Sequence, residues 1–226
     1  MGTNLPSGLI TNYATDSAYT MAYHTIYANM CFNWDKEQKR QRAILITTPT
    51  DDPGCLTATS NIAIASAQSG TPTVLVDAHL QKPKLYERFP MHSPHALSDL
   101  LKEDQLTGQT VGQYAQKTFI PHLSVLCEST AIIANSELDQ LFMSRLKELV
   151  CALRQFLQES VNQAGLIVFN SAPVLAGIET SLLSVQMDET FLAVAAGRTT
   201  RAQAKKAQEQ LARAHTQLAG VIIVDI

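Results

Sequence analysis

The chain is poor in charged residues and has no long apolar run, and both absences narrow what it can be. Charged residues make up 16% of the chain and the net charge is −3, so nothing in the composition favours nucleic acid or an anionic membrane as a partner. No apolar stretch approaches the roughly 20 residues of a transmembrane helix, and no signal-peptide pattern occurs. With 46% hydrophobic residues, the composition is typical of an ordered globular protein, which we expect to be cytoplasmic.

Paired cysteines are also missing. The four cysteines are Cys31, Cys55, Cys127 and Cys151, and none belongs to a CxxC pair. This spacing argues against a zinc site and against a disulfide framework. Cys127 and Cys151 both lie in apolar runs, which predicts that both thiols are buried in the core.

Apolar segments alternate with amphipathic ones, which is the pattern of a parallel sheet covered by helices on both faces. The predicted strands are 43–47, 73–76, 122–127, 166–169, 191–195 and 221–224. The predicted helices are 17–32, 56–68, 95–101, 137–159, 176–183 and 199–214, with Asn135 or Ser136 as the cap of the fourth. Residues 107–117 are polar and stay unassigned. We predict a three-layer α/β fold with a central, mostly parallel sheet, forming one domain over 1–226 with an arm over 1–16.

The segment from 43 to 85 has the outline of a phosphate-binding loop and lacks its chemistry. Such a loop needs a Lys for the outer phosphates, a Ser or Thr for magnesium, and glycines that let the backbone wrap the anion. Cys55 stands in the place of the Lys, Leu56 follows it, and Asp52 stands where a glycine is expected. Two adjacent carboxylates, Asp51 and Asp52, are expected to repel an anion here.

Separated blocks of residues resemble one protein family in order and spacing. They are MAYHTIYANMCF (21–32), DDPGCLT through NIA (51–63), VLVDAHLQKPKL (74–85), LSDLL (97–101), NSEL (135–138), VFNSAPVL (168–175) and AGRTTR (196–201). Over nearly its full length the chain resembles the cytoplasmic kinase domain of bacterial tyrosine kinases of the capsule-polysaccharide type, which are related to the MinD and ParA ATPases. The resemblance implies a P-loop NTPase-like fold and, in an active member, ATP-dependent phosphorylation of protein tyrosines.

The departures from that family fall where its chemistry lies. The family's P-loop Lys is replaced by Cys55, the second acidic residue after the next strand by His79, and the Walker B Asp by Asn170. The residues that would line the vestigial nucleotide site are Gly54, Cys55, Leu56, Thr57, Asp77, His79 and Asn170. The fold should bring Cys55, Asp77, His79 and Asn170 together. We expect Asp77 to bond backbone amides and Thr57 to be an ordinary residue of the first helical turn.

The resemblance also bears on assembly. The family's charged assembly motif becomes Met21, His24 and Tyr27, which are candidate residues of a drier protein interface. A second group of four cations, Arg198, Arg201, Lys205 and Lys206, is expected to form a solvated helix face.

These departures predict a catalytically inactive relative that works through protein–protein contacts. It would be a scaffold or regulatory subunit beside a membrane polysaccharide co-polymerase or an active paralogue, without ATP, Mg²⁺ or another metal as cofactor. Weak nucleotide binding at the helix N-terminus stays open. One alternative is a weak or unusual ATPase or kinase that recruits Lys82 or Lys84. Another is a self-assembling structural protein, a homo-oligomer built from the same fold.

Overall fold

The computed structural model describes residues 16–32, 34, 40–89, 96–128, 136–160 and 164–225. The strands are β1 (Gln41–Thr47), β2 (Thr73–Ala78), β3 (Gln116–Lys117), β4 (Leu123–Leu126), β5 (Gly165–Ser171), β6 (Glu189–Ala195) and β7 (Leu218–Val224). The helices are α1 (Ala18–Cys31), α2 (Pro53–Gln68), α3 (Leu85–Arg88), α4 (Leu97–Lys102), α5 (Gly108–Tyr114), α6 (Ser136–Ser160), a 3-10 turn (Val174–Ala176), α7 (Glu179–Ser184) and α8 (Arg201–Arg213).

Within the described residues the strands form one sheet in the order β3–β4–β2–β5–β1–β6–β7. The short edge strand β3 runs antiparallel to β4, and the other neighbouring pairs are parallel. The central strand β5 is buried along its whole length between β1 and β2. Burial on both faces explains why this strand reads as a continuous apolar run rather than an alternating one.

Helices cover both faces of the sheet, as the sequence predicts. On one face α1 and α2 pack against apolar residues of the central strands, among them Ile44, Leu75 and Val168. On the other face α4, α5, α6 and α7 cover the alternate residues of the same strands, such as Leu45 and Phe169. A smaller cluster lies under α8. The predicted three-layer arrangement with a mostly parallel sheet is therefore confirmed.

Three regions differ from the prediction, one of which is the short helix α3 in a stretch to which no helix was assigned. The helix predicted over 176–183 is divided into the 3-10 turn and α7, because Gly177 adopts an extended conformation between them. The unassigned polar stretch 107–117 contains α5 and β3, and the Thr107 hydroxyl caps α5 by accepting a hydrogen bond from the backbone N–H of Thr110 (3.1 Å). Of the two predicted caps of α6, Ser136 is the first residue of the helix itself and Asn135 lies outside the described residues. The start of α4 at position 95 and the arm up to position 15 also lie outside them.

Helix α6 corrects the prediction for one cysteine. Cys127 is buried, but Cys151 is exposed on the outer face of α6. The buried face of this helix carries Leu146, Leu149 and Leu153, spaced three and four residues apart. Neighbours in sequence point to different sides of a helix, so an apolar run does not by itself bury each of its members.

Candidate functional site

The loop between β1 and α2 ends in a helix N-terminus whose first amides already have partners in the protein. Asp52 is the N-cap, and its Oδ1 accepts a hydrogen bond from the backbone N–H of Gly54 (2.7 Å). The N–H of Cys55 donates to the backbone carbonyl of Asp52 (3.2 Å). Pro53, at the first helical position, has no N–H to offer. These three positions therefore present no free amide of the kind that cradles a phosphate in a P-loop.

A second contact holds the Asp52 carboxylate from across the site. Arg198 places Nε 3.2 Å from Oδ2 and donates from Nη2 to Oδ1 at 3.3 Å. Gly197, with φ of 71°, forms the left-handed turn after β6 that leads into Arg198. The prediction that Arg198 lies on a helix face is therefore wrong, because it precedes α8 and pairs with Asp52, although 44% of its side chain is exposed as predicted.

The other three cations of that group behave as predicted. Arg201, Lys205 and Lys206 are exposed along α8.

The neighbouring carboxylate, Asp51, also has a cationic partner, but this ion pair is exposed to solvent. Lys82 Nζ lies 2.9 Å from Asp51 Oδ2, with 61% and 66% of the two side chains exposed. The hydrogen bond from Lys82 lowers the pKa of Asp51. An exposed pair of this kind contributes little stability. The predicted repulsion from Asp51 and Asp52 is thus offset by a cation beside each carboxylate.

Asp77, at the end of β2, is fully buried and accepts hydrogen bonds from four donors. Its Oδ1 accepts from the backbone N–H of His79 (3.3 Å) and from Nδ2 of Asn170 (2.9 Å). Its Oδ2 accepts from the backbone N–H groups of Lys84 and Leu85, both at 3.0 Å. Burial raises the pKa of Asp77, and these bonds oppose that rise. The prediction that Asp77 bonds backbone amides is confirmed.

These bonds bear on magnesium, which the resemblance implies for an active kinase. Each oxygen of Asp77 already accepts two hydrogen bonds, so a cation could bind only by breaking them. Asn170 donates a hydrogen bond from its side-chain amide to Asp77, where an Asp at this position would have supplied a second carboxylate. Among the described residues there is no group of three or more His, Cys, Asp or Glu side chains that could hold a metal ion. The residues present do not fit Mg²⁺.

Cys55 lies beside Asn170 and not in a reactive setting. Its Sγ is 3.8 Å from Asn170 Oδ1 and 3.8 Å from the carbonyl of Ile46. Burial raises the pKa of the Cys55 thiol to about 12. The thiol is therefore neutral at pH 7 and supplies neither the charge of the missing Lys nor a nucleophile.

A cavity of about 450 Å³ opens between these groups. Cys55, Leu56, His79 and Asn170 line it, so the predicted convergence of Cys55, Asp77, His79 and Asn170 is confirmed. Burial lowers the pKa of His79, so its imidazole adds no charge at pH 7. The charged side chains on the wall of the cavity are Asp51, Asp52, Lys82, Lys84, Glu87 and Arg88.

Thr57 and Arg88 meet beside the cavity. Thr57 lies in the second turn of α2 and not, as predicted, in the first, because the helix begins at Pro53. Its hydroxyl donates to the Pro53 carbonyl (3.3 Å) and accepts from Arg88 Nη2 (3.0 Å). Sequence reasoning missed both Arg88 and Arg198 as site residues. The neighbourhood of Arg198 could have been predicted, because it lies in the loop after β6, whose carboxyl end adjoins that of β1 in the sheet.

The candidate interface residues on α1 have three different environments. Met21 is exposed. His24 is half-buried, with Nε2 3.1 Å from Gln68 Oε1. Tyr27 is buried, with its hydroxyl 2.7 Å from Thr71 Oγ1 and its ring edge-on to Trp34. Tyr27 is therefore a core residue rather than a surface one, because its ring reaches inward past the C-terminal end of α2.

None of the helices in the part of the chain that the structure describes is long and apolar enough to cross a membrane.

The fold is that of the P-loop-type α/β domains of MinD and ParA. MinD from Pyrococcus furiosus superposes with a TM-score of 0.63 at 17% identity, over 80% of this chain and 71% of that one. No protein-family model matches the chain.

Sequence relatives are bacterial tyrosine kinases, which confirms the resemblance predicted from the motifs. The tyrosine-protein kinase YwqD of Bacillus subtilis is 26% identical over 222 residues, which are 98% of this chain and 87% of YwqD. The putative tyrosine-protein kinase EpsB of Ralstonia nicotianae is 25% identical over 79% of this chain, which is 22% of the length of EpsB.

Solved structures agree on the fold. The kinase domain of Escherichia coli tyrosine kinase ETK has a TM-score of 0.80 at 18% identity, over 100% of this chain and 83% of that one. The chimerical protein CapA2B2 has a TM-score of 0.75 at 22% identity, over 97% of this chain and 89% of that one.

Proposed function

We propose that this protein is a catalytically inactive relative of the bacterial tyrosine kinases that acts as a scaffold or regulatory subunit through protein–protein contacts. The observation that carries the proposal is the saturated hydrogen bonding of Asp77. A carboxylate that holds the loop over 79–85 in place, and whose four lone-pair sites are filled, is a structural group.

The remaining groups of the site support the same conclusion. Phosphoryl transfer depends on positioning and on neutralising the charge of the phosphates. A single cation at contact distance contributes on the order of 4 kcal/mol at an effective dielectric of 20, and Cys55 supplies none. Asn170 supplies no carboxylate for a metal, and the Gly54 N–H is bonded to Asp52.

Phosphotransfer from ATP labelled in its γ-phosphate tests the proposal, with YwqD as the active control. The protein should label neither itself nor heat-inactivated YwqD. Magnesium-dependent labelling that disappears in an Asp77→Asn variant would contradict the proposal.

The outer face of α1 is the surface we propose for the contacts. The helix has no Lys, Arg, Asp or Glu, and Met21 and the adjoining Phe32 are exposed on one flank of its buried stripe, with Tyr19 exposed on the other. An uncharged face with large apolar side chains is typical of the centre of a protein interface. The resemblance suggests a membrane polysaccharide co-polymerase or adaptor, or an active paralogue, as the partner. CapA2B2, a chimerical protein, shares the fold.

A self-associating structural protein would use the same face differently. Light scattering over a range of concentrations separates the two, because a scaffold that needs a partner stays small alone. Growth of the particles with concentration, abolished by Met21→Lys and unaffected by Arg213→Met on α8, would favour the structural protein.

A weak ATPase is the second candidate, and one observation favours it. Lys84 is exposed on the cavity wall, whereas Lys82 is paired with Asp51. If Lys84 supplied the catalytic cation, Lys84→Met would abolish turnover, whereas Lys102→Met, at the exposed C-terminal end of α4, would not. Absence of magnesium-dependent hydrolysis in the natural protein excludes this candidate.

A further inference from the structure

We propose that Asp52 is a built-in anion that occupies the anion-binding end of α2. In this role the Asp52 carboxylate, held by Arg198, weakens phosphate binding more than the replacement of the P-loop Lys by Cys55 does. The inference rests on the proposed function and names the side chain that enforces it.

Two donors from separate parts of the chain meet on this carboxylate. The Gly54 N–H comes from α2 itself, and the guanidinium of Arg198 comes from the loop after β6. Because β1 and β6 are neighbours in the sheet, the loops at their carboxyl ends lie side by side. Only 10% of the Asp52 side chain is exposed, although the residue lines a cavity of about 450 Å³.

Both donors are the kind that a phosphate oxygen would use. A helix N-terminal amide and a two-point guanidinium contact recognise phosphate and carboxylate alike. Asp52 presents two oxygens and a negative charge to them, which also suits the positive end of the helix dipole. An incoming phosphate would have to displace this carboxylate and then remain beside it.

Asp51 is the internal comparison. It carries the same charge one residue earlier and pairs with Lys82, but most of its side chain is in solvent. It caps no helix. If net charge at the loop were the barrier, the two carboxylates would be equivalent, whereas the geometry makes them different.

The same arrangement explains why a Lys at position 55 would not by itself restore binding. The charges of Asp52 and Asp77 both act on the Cys55 side chain. An ammonium placed there would leave the Gly54 N–H and the Arg198 guanidinium occupied by Asp52, so the donors that a phosphate needs would still be taken.

Calorimetric titration with inorganic tripolyphosphate tests the inference, because this probe has no nucleoside to bind elsewhere in the cavity. Asp52→Gly and Asp52→Ser should each bind at least tenfold more tightly than the natural protein. The Ser variant keeps a helix cap without the charge, so it guards against a folding defect. Asp51→Gly and Cys55→Lys should behave like the natural protein. Adding Arg198→Met to Asp52→Ser should abolish the gain.

The outcomes separate this inference from the proposed function. If both Asp52 variants are folded by thermal melting and bind no better than Asp51→Gly, the inference is overturned and the inactive-relative proposal stands. A gain from Cys55→Lys alone would also overturn it. Phosphotransfer by the natural protein would instead remove the proposed function, whatever the tripolyphosphate titrations show.

Discussion

At the scale of single residues, the site consists of polar groups that satisfy one another. Asp77 and Asn170 are partners in the register of β2 and β5, so the fold alone makes them neighbours. The Asn amide then serves as a donor to a fully buried carboxylate, where a second carboxylate would add a like charge. Replacing one Asp by Asn turns a repulsive pair into a hydrogen bond.

Asn170→Asp should therefore destabilise the protein by about 3 kcal/mol near pH 8 when no metal is added, since it places an unpaired charge 2.9 Å from Asp77. When the two carboxylates of the folded variant share a proton, their repulsion is relieved, so the pKa of this pair lies above its value in the unfolded chain. The folded state of the variant therefore regains stability as the pH falls. Urea unfolding at pH 8 and pH 5 measures this. Asn170→Ala removes the donor without adding charge and should show a smaller pH dependence. Equal losses for the Asp variant at both pH values would contradict the account.

Thiol reactivity offers a second test at this scale. Burial raises the pKa of Cys55 to about 12 and also raises that of Cys127, whereas Cys151 is exposed. In the folded protein at pH 8, iodoacetamide should alkylate Cys151 at least tenfold faster than Cys55 or Cys127. Mass spectrometry of digests gives the rates, and urea should equalise them. Rapid modification of Cys55 in the folded state would contradict the account, because it would show that reagents in the cavity reach this thiol.

At the scale of elements, the helices α5 and α6 approach closely through a glycine. A Cβ on Gly108 would lie 2.8 Å from the backbone N of Phe156 and 2.9 Å from the carbonyl carbon of Gln155. A Cβ on Gly112, one turn later, would meet only the Phe156 ring at 3.4 Å. Backbone cannot yield as a side chain can, so the two glycines differ in what they tolerate.

Gly108→Ala should lower the free energy of unfolding by about 2 kcal/mol, because α5 must move away from α6. The matched Gly112→Ala should cost less than about 1 kcal/mol, since a ring can shift and Ala favours the helix. Chemical denaturation of both variants measures the difference. A Gly108→Ala protein as stable as Gly112→Ala would show that the two helices are not held at this distance.

The elements also show what the sequence could and could not predict. The buried strands and the long helices were predicted because their apolar patterns are set by burial. Helix α5 was not, because its sequence is mostly polar and its position depends on a contact with α6. Likewise, the convergence of Cys55, Asp77 and Asn170 follows from strand order, but the pairing of Asp52 with Arg198 depends on the path of two loops.

At the scale of the whole molecule, the loops after β1, β2, β5 and β6 meet at one edge of the sheet. In parallel α/β folds this edge is where ligands bind. Here its carboxylates are bonded within the chain: Asp52 to Arg198 and Gly54, and Asp77 to Asn170 and backbone amides. We therefore infer that the ATP-binding architecture of this fold serves here as a structural body without its ligand.

Calorimetric titration of the natural protein with ATP, with and without Mg²⁺, measures whether this site still binds nucleotide. The account predicts no binding up to millimolar ATP in either condition. A variant that combines Cys55→Lys and Asn170→Asp with Asp52→Gly should gain binding relative to the natural protein. Micromolar, magnesium-dependent binding by the natural protein would contradict the account, because it would require Asp77 to exchange its hydrogen bonds for a metal.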